Sequence, residues 1–598
     1  MKRWVNWAVL AMFGWAAVSC QSSQGGLSYE SQGDSLTVVH ITQPTKYLLL
    51  PIQESCNESK VKLVTGSPAD MAMDVRLAVD SIDYYVPFEL PQGDSNATVT
   101  IAGIGQDAIC WDSIKLSDKF DVTNTDYYRP IYHHTPLYGW MNDPNGMVYK
   151  DGEYHLYYQY NPYGSRWGNM HWGHSVSKDL IHWEHLKPAI ARDTLGHIFS
   201  GSAVVDKNNT AGYGKDAIIA LYTSASDEHG QIQCLAYSTD NGRTYTKYEH
   251  NPVLTPFDGL KDFRDPKVFW FEPAGKWYMI VSADKEMRFY ESSNLKDWSY
   301  LSAFGQGYGV QPNQFECPDF IQLPVNGDPN NKKWVMIVNI NPGCLFGGSA
   351  TEYFVGDFDG KTFKCDTDKE VTKWLDWGKD NYATVTWSNA PAGRCIALGW
   401  MSNWQYANNV PTTQYRSANT LARDLTLYRV GGELYLRSKP SPEIKKARAE
   451  EKKIPTFEVK GNYEVASLLA DNKGAYEIEM TIENKGTSKI DFSLMNEKGE
   501  KVAMYYDVVR KQFVMDRSAS GIVGFSRDFP AVTVAPVRNT DQIHLRLFID
   551  RSSVEAFGED GEYVMTNLVF PAEPYNRMVF SSDKGSYIVK SMNVYRLQ

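Results

Sequence analysis

The sequence predicts an all-β protein: a five-bladed β-propeller with a C-terminal β-sandwich and an additional small N-terminal β-sandwich domain. Three observations support this fold class. Residues 130–428 contain five units that recur at a period of roughly 50 to 65 residues, the range in which propeller arrays occur. Beyond residue 455, apolar and polar positions alternate, as in an antiparallel sheet with one wet face. Aromatic residues make up 13% of the 598 residues, and they lie among Gly and Asn rather than in helical stripes.

Residues 1–19 have the features of a targeting signal. Lys2 and Arg3 precede an apolar run that is too short to span a bilayer as a mature helix. Small residues directly before Cys20 resemble a bacterial lipoprotein box, so we expect Cys20 to be lipidated and the protein to be exported and anchored in the bacterial envelope. Ala17 replaces the large aliphatic residue usual in such a box, which leaves a simply secreted form as the alternative.

Residues 20–126 are predicted to form the N-terminal β-rich domain. Short apolar strands are separated by Gly, Pro, Asn and Asp, and no group of chemically active residues recurs among them. Seven cysteines follow Cys20, an odd and small number for this length, so the chain is not a disulfide scaffold. Cys56 and Cys110 could pair in this domain, although the sequence does not determine the connectivity.

The predicted propeller covers residues 127–440. Its five units begin near Asp143, Ser202, Asp265, Glu316 and Asp380. Three units end in similar segments, at residues 177–183, 238–245 and 292–298. In a radial array of four-stranded sheets, the first strand of every blade lines the central axis, so residues that open successive units should converge there.

The last part of the chain is predicted to be a second sandwich. A charged stretch within residues 441–454 suits a short solvated helix that links the domains. From residue 455 to 598, clean alternation such as Tyr476, Ile478, Met480 and Ile482 indicates an antiparallel sandwich that supports the propeller.

Charge and motif content exclude several functional classes. The net charge of -11 is spread along the chain without a basic patch, which argues against nucleic-acid binding and favours a neutral ligand. No Cys/His spacing matches a metal site and no Gly-rich phosphate loop is present, so we expect no metal. His171 and His174 lack a third ligand in phase and are interpreted as a buried, hydrogen-bonded pair. We expect a monomer.

Three acidic residues are the candidate catalytic groups. Asp143 lies in WMNDPNG (residues 140–146), where Pro144 and the following Asn-Gly predict a tight corner. Glu316 lies in FECPD, where an aromatic ring, a thiol and the charge of Asp143 should raise its pKa. Retaining glycoside hydrolysis needs two acids about 5 Å apart, and we assign Asp143 as the nucleophile and Glu316 as a general acid protonated near neutral pH.

Asp265 is the third acid of this set. It follows Arg264 in DFRDP, and we expect the guanidinium to hold Asp265 ionised. A fixed anion there could accept hydrogen bonds from ring hydroxyls that strengthen in an oxocarbenium-like transition state. We include Arg264 among the substrate-binding residues. An Arg-Asp pair that braces two blades is the structural alternative.

The ordered set of motifs resembles glycoside hydrolase family 32, which contains invertases, inulinases, levanases and fructosyltransferases. The motifs are residues 140–146, 199–202, 263–266, 316–318 and 376–383, and the similarity continues to DRSSVE at 550–555. The resemblance implies a five-bladed propeller, retention of configuration, no cofactor and hydrolysis of β-fructofuranosidic bonds. By position it implies the same roles for Asp143, Glu316 and Asp265.

The resemblance also implies further pocket residues. Asn142 and Gln159 would bond fructose hydroxyls, with a strand-end cap as the alternative for Gln159. Ser200 would bond a hydroxyl or close a turn. Trp167 and Trp404 would be walls of the pocket or, as is ordinary for Trp in a β-rich protein, part of the core.

The N-terminal region resembles the extra domain of lipoprotein fructanases from gut-type Bacteroidetes. This resemblance favours levan over inulin, and the family favours exo-action that releases fructose. An endo-levanase and an invertase are the alternatives within the class. A non-catalytic fructan-binding protein is the alternative from another class, and an arabinan-cleaving five-bladed relative would act with inversion.

Overall fold

A computed structural model describes residues 20–33, 35–43, 45–91, 96–122 and 126–598 of the protein. The chain forms two compact units, 1–121 and 122–598. The predicted signal peptide, residues 1–19, and the side chain of Cys20 lie outside the described residues. Within the described ranges, none of the helices combines the length and the apolar character needed to cross a bilayer.

The first unit is a small β-sandwich, as predicted. Its strands and one helical turn are β1 (Cys20–Gln24), β2 (Leu27–Ser31), β3 (Leu36–Ile41), β4 (Tyr47–Ile52), β5 (Ser59–Val64), β6 (Ala72–Val75), β7 (Tyr84–Glu89), β8 (Ala97–Ala102), α1 (Cys110–Ser113) and β9 (Lys115–Ser117). They form two sheets, in the orders β1-β2-β3-β8-β5-β6 and β7-β4-β9. Cys56 and Cys110 are free thiols, so the disulfide considered for this domain does not form.

The second unit begins with the five blades of the predicted propeller, all within the described range 126–598. Blade one contains β10 (Gly139–Lys150), β11 (Glu153–Asn161), β12 (His171–Ser177) and β13 (Trp183–Ile190). Blade two contains β14 (His197–Asp206), β15 (Ala217–Ser226), β16 (Gly230–Ser238) and β17 (Thr246–Lys247). Blade three contains β18 (Phe263–Phe271), β19 (Lys276–Ala283), β20 (Glu286–Ser292) and β21 (Ser299–Phe304).

The other two blades share one sheet. Blade four contains β22 (Phe315–Val325), β23 (Asp328–Ile340), β24 (Ala350–Phe358) and β25 (Phe363–Cys365). Blade five contains β26 (Tyr382–Thr386), β27 (Ile396–Trp400) and, after the short strand β28 (Tyr415–Arg416), β29 (Arg423–Val430) and β30 (Glu433–Pro440). Strand β28 pairs in parallel with β10 and so ties the end of the ring to its start. Short 3₁₀ turns lie at Glu272–Ala274, Pro391–Gly393 and Ala407–Asn409.

Each inner strand carries a β-bulge at the same end of the propeller. In every case two successive residues face a single residue of the neighbouring strand: Asn142 and Asp143, Phe199 and Ser200, Asp265 and Pro266, Cys317 and Pro318, and Ala383 and Thr384. Asp265, Cys317 and Ala383 have left-handed φ values of 64°, 42° and 53°. Because bulges bend a strand and re-aim its side chains, this ring brings polar groups from different blades together.

The bulges of blades two and five lie at other residues than the predicted starts of these units, Ser202 and Asp380. Ser202 lies two residues beyond the bulge of its strand, and its hydroxyl holds Pro266 O and Val268 N of the next blade. Asp380 lies before the first strand of blade five. It is buried and accepts hydrogen bonds from Tyr406 and Arg517.

The C-terminal sandwich is confirmed. Its strands are β31 (Arg448–Ile454), β32 (Phe457–Val465), β33 (Tyr476–Asn484), β34 (Lys489–Met495), β35 (Lys501–Asp507), β36 (Gln512–Ala519), β37 (Val532–Pro536), β38 (Gln542–Asp550), β39 (Ser553–Gly558), β40 (Tyr563–Leu568) and β41 (Arg577–Leu597). The expectation of a solvated linker helix before this sandwich is wrong. Pro442–Ala447 is a 3₁₀ helix, and residues 448–454 pair with β41 because the long last strand offers them a partner.

Buried ion pairs join the sandwich to the propeller. Asp550 accepts hydrogen bonds from the backbone N–H groups of Ile131, Tyr132 and His133. Arg423 of blade five donates to Asp376 at 2.9 Å and to Glu555 at 2.7 Å. Two of the motifs that carried the family resemblance, 376–383 and 550–555, therefore meet at this interface.

Candidate active site

Asp143 is a half-buried carboxylate in the bulge of β10. Its Oδ2 accepts hydrogen bonds from Ser200 Oγ at 2.7 Å and from Cys317 Sγ at 3.2 Å. Its Oδ1 accepts from Asn142 Nδ2 at 3.1 Å, and the Asn142 amide is itself fixed by Trp140 Nε1 at 2.7 Å. Donors from three blades therefore hold the carboxylate in one orientation.

Glu316 lies beside the bulge of β22, with 19% of its side chain exposed. Arg264 Nη2 donates to its Oε1 at 2.6 Å, and Gln314 Nε2 is 3.4 Å from the same oxygen. Burial raises the pKa of Glu316, the Arg264 guanidinium opposes this shift, and the Asp143 charge adds to it. The direction agrees with the pKa predicted for a general acid.

Arg264 is the only cation in hydrogen-bond contact with this group of acids within residues 126–598. Besides Glu316, it donates to Asp262 Oδ1 at 2.6 Å and to Gln231 Oε1 at 3.2 Å. Its Nε lies 3.9 Å from Asp265 Oδ2. The neighbouring carboxylates raise the pKa of Arg264, so the guanidinium stays charged.

Asp265 is the most buried of the three acids, with 6% of its side chain exposed. Its own N–H donates to Thr223 Oγ1 at 2.9 Å, and its Oδ2 accepts the Cys317 N–H at 2.9 Å. Burial raises the pKa of Asp265 to about 7, which outweighs the opposing effect of Arg264. The expectation that Arg264 holds Asp265 ionised is therefore wrong, because burial of the carboxyl favours its neutral form more than the guanidinium favours the charged one.

Cys317 links the three acids and was not among the predicted site residues. Its thiol donates to Asp143, its N–H donates to Asp265, and Glu316 precedes it. Burial raises the pKa of the Cys317 thiol well above its usual range, so it stays a neutral donor. A signal was present in the sequence, since Cys317 precedes Pro318 as Asp265 precedes Pro266.

Two family models match consecutive parts of the chain. The glycosyl hydrolases family 32 N-terminal domain matches residues 133–439, and the glycosyl hydrolases family 32 C-terminal domain matches residues 443–596. The chain belongs to glycoside hydrolase family 32. It is a glycosidase. A third model, a domain of unknown function (DUF4980), matches residues 33–132.

Relatives and solved structures of the family cover most of the chain. A levanase of Bacillus subtilis (strain 168) is 45% identical over 499 residues, which are 81% of this chain and 73% of the levanase. The crystal structure of an exo-inulinase from Aspergillus awamori matches with a TM-score of 0.73 at 34% identity. The match covers 80% of this chain and 99% of the exo-inulinase chain. A fructofuranosidase from Schwanniomyces occidentalis complexed with fructose has a TM-score of 0.73 at 33% identity and covers 80% of this chain and 100% of its own.

In this family 32 chain, three of the five predicted substrate-binding residues touch a carboxylate, Arg264 among them, and two do not. Asn142 and Ser200 hydrogen-bond Asp143. The amide nitrogen of Gln159 donates to Asn145 Oδ1 at 2.7 Å and to Ile198 O at 3.0 Å, so it braces the corner behind Asp143. Trp167 is 41% exposed beside His197 and Phe199 and so offers an open aromatic face.

Trp404 packs against both Trp140 and Trp400, with ring centroids at 5.8 and 4.8 Å. It is only partly buried, so it joins the core around Asn142 to the surface. His171 and His174 are buried in blade one, and burial lowers the pKa of His171 to about 4. Across the described ranges, no three His, Cys, Asp or Glu side chains are grouped to hold a metal.

The family 32 site combines two kinds of carboxyl group. Asp143 is half-buried and fixed by neutral donors. Glu316 reaches the same space with a raised pKa and so can hold and release a proton. A fixed carboxylate beside a carboxyl of raised pKa is suited to attack at one atom and proton transfer at its neighbour.

Proposed function

We propose that this protein is a retaining β-fructosidase that releases fructose from the ends of fructan chains, with levan as the preferred substrate. Asp143 is the nucleophile, Glu316 the acid and base, and Asp265 the stabiliser of the transition state. Asn142, Ser200, Trp167, Gln159 and Arg264 form or brace the fructose subsite. The observation that carries this assignment is the set of bonds by which Cys317 and Arg264 connect all three acids.

In the first step, an Asp143 oxygen attacks the anomeric carbon of the terminal fructosyl unit. The bond to the leaving oxygen breaks, and Glu316 transfers its proton to that oxygen. In the second step, the Glu316 carboxylate takes a proton from water, whose oxygen attacks the same carbon and releases Asp143. Two displacements retain the configuration.

Asp265 acts on the ring rather than on the reacting bond. Its buried carboxyl is held by the Cys317 N–H and the Arg264 guanidinium. Sugar hydroxyls that donate to it favour its ionised form, which lowers the pKa of Asp265 in the complex below the value of about 7 in the empty site. These bonds strengthen as the ring flattens towards an oxocarbenium ion.

The relatives support the substrate and the mode of action. They include a levanase at 45% identity and an extracellular exo-inulinase of Aspergillus awamori at 36% identity. Exported relatives support export of this chain as well. Lipid attachment at Cys20 and a monomeric state stay predictions.

Chemical rescue tests the two roles separately. In Asp143→Ala, activity should fall by about 10⁴-fold or more, and azide should restore turnover with an α-fructosyl azide as product. In Glu316→Ala, a fructoside whose leaving group needs no proton should still react with the enzyme, and azide should give the β-fructosyl azide. Asp284→Asn, an exposed acid after β19, is the matched control and should keep full activity. Full activity in Asp143→Ala would refute the mechanism.

Product analysis tests exo-action and the substrate. Fructose alone, released from levan faster than from inulin or sucrose, is the expected result. A ladder of oligosaccharides from the start of digestion would favour the endo-levanase alternative, and faster turnover of sucrose would favour an invertase.

A further inference from the structure

A second pocket lies at the end of the propeller opposite the three acids. Its wall is formed by the later halves of three inner strands, β14, β18 and β22, and by the segment after β26. Phe269 and Trp270 stand four and five residues after Asp265, and Ile321 stands five residues after Glu316. At about 3.3 Å per residue, these side chains lie roughly 13 to 17 Å along the strands from the acids.

A buried ion pair separates this pocket from the catalytic end. Lys267 Nζ donates to Asp319 Oδ2 at 3.0 Å and to Thr386 O at 3.3 Å. Lys267 and Thr386 line both the distal pocket and a smaller cavity beneath Asp265. The side chains of Lys267 and Thr386 therefore lie between the distal pocket and the catalytic acids.

The distal pocket has the size and lining of a ligand site. Its volume of about 430 Å³ lies within the range of small-molecule pockets, about 300 to 1,000 Å³. Phe269 and Trp270 are half-buried and turn aromatic surface into it. Trp270 is held in place by an edge contact with Trp277 at 5.0 Å and by a hydrogen bond to Glu272 at 2.6 Å. These two contacts fix the orientation of the Trp270 ring.

The rim of the pocket indicates the chemistry of its ligand. Lys207, Asn208, Glu272 and Asn389 are exposed there, and they supply one cation, one anion and two amides. The opposite charges cancel, so the rim favours neither anions nor cations, whereas its donors and acceptors suit hydroxyl groups. Aromatic surface ringed by polar groups without net charge is suited to a neutral sugar.

We propose that this distal pocket binds a fructosyl segment of the polymeric substrate, remote from the site of hydrolysis. This inference rests on the proposed function for the class of sugar. Attachment at a second point raises the local concentration of chain ends near the catalytic face. The gain applies to long chains, because short substrates cannot occupy both ends of the propeller.

Binding to a silenced enzyme tests the site directly. In Asp143→Asn, titration calorimetry with β-2,6-linked fructo-oligosaccharides should show two binding events per chain, and adding Trp270→Ala should leave one. Phe257→Ala removes an exposed aromatic side chain at the outside of the same blade and should leave two. A single binding event in Asp143→Asn, or two events in Asp143→Asn with Trp270→Ala, would refute the proposed second binding site.

Kinetics on the active enzyme provide the second readout. In Trp270→Ala, the KM for long-chain levan should rise about tenfold, while kcat and KM for sucrose stay unchanged and so show that the propeller is intact. Trp270→Phe, which keeps an aromatic ring at this position, should have an intermediate KM. An unchanged KM for levan in both variants would overturn the proposal while fructan hydrolysis continues. If the unaltered enzyme does not hydrolyse fructan at all, the proposed function itself is refuted.

Discussion

Replacing Glu352 by Gln should stabilise the protein, and the gain should grow with pH. Glu352 lies in β24, fully buried beneath the loop that leads to Glu316. One carboxyl oxygen accepts the Val310 N–H at 3.2 Å, and the other has no hydrogen-bond partner among the described residues. Burial raises the pKa of Glu352 from 4.5 to about 8, against a small opposing effect of the Val310 N–H.

The sign and size of the effect follow from this pKa. The folded protein keeps the Glu352 proton up to about pH 8, whereas the unfolded chain releases it above pH 4.5. The free energy of unfolding therefore falls as pH rises between these values, at about 1.4 kcal/mol per pH unit. The accumulated cost is about 3 kcal/mol at pH 7 and about 5 kcal/mol above pH 8. The variant Glu352→Gln has no proton to lose and escapes this cost.

Urea unfolding followed by tryptophan fluorescence at pH 5, 6, 7 and 8 measures the difference. Glu352→Gln should match the unaltered protein near pH 5 and exceed it increasingly at higher pH. Glu249→Gln, whose side chain is 81% exposed, is the matched control and should show no such trend. A stability difference of the same size at every pH would refute the reasoning, because it would show that Glu352 has the same pKa in both states.

Three further predictions concern the site and the interface. In Arg264→Gln, loss of the opposing cation should raise the pKa of Glu316 by about 1 to 3, so the alkaline limb of the kcat/KM profile should move upwards; an unmoved limb would contradict this. Ser200→Ala removes the hydroxyl that donates to Asp143 at 2.7 Å, and it should lower kcat about 10- to 100-fold at unchanged thermal stability. An unchanged kcat would show that this hydroxyl has no role in catalysis. Burial lowers the pKa of His133, but Asp550 and Glu555 together raise it to about 9, so these ion pairs should stabilise the fold fully below pH 6.5 and progressively less as pH rises through 9. Asp550→Asn should cost about 3 to 5 kcal/mol at neutral pH, and an unchanged unfolding midpoint would argue against a stabilising contact between Asp550 and His133.

The fold was predictable because its repeats are long and regular. The period of the units and the alternation beyond residue 455 report strand order, which depends on local sequence. The residues that lie in the bulges of blades two and five were not predictable, and Ser202 and Asp380 were chosen instead. A bulge is set by pairing with a neighbouring strand, which the sequence does not specify. The strand at Arg448–Ile454 was missed for the same reason, because its partner lies more than a hundred residues away.

The acids of the candidate site could be found because Asp143 and Asp265 directly precede a proline and Glu316 stands two residues before one, which marks each of them locally. The contacts that tune them could not. Thr223 and Gln231 reach the site from the second and third strands of blade two, and Cys317 acts through both its thiol and its N–H. The raised pKa of Asp265 was not predictable for a related reason, since adjacency to Arg264 in sequence does not reveal how deeply the carboxyl is buried.

The bond from Asp550 to the N–H groups of residues 131–133 sets a condition on the order of folding. The two ends of this contact are separated by more than four hundred residues. During synthesis, the N–H groups of residues 131–133, just before blade one, have no Asp550 acceptor until nearly all of the polypeptide has emerged. A nascent chain that stops before residue 550 can pair its blade strands and close the ring through β10 and β28, but it leaves those three donors unmatched, so fixing the segment before blade one depends on synthesis of the sandwich.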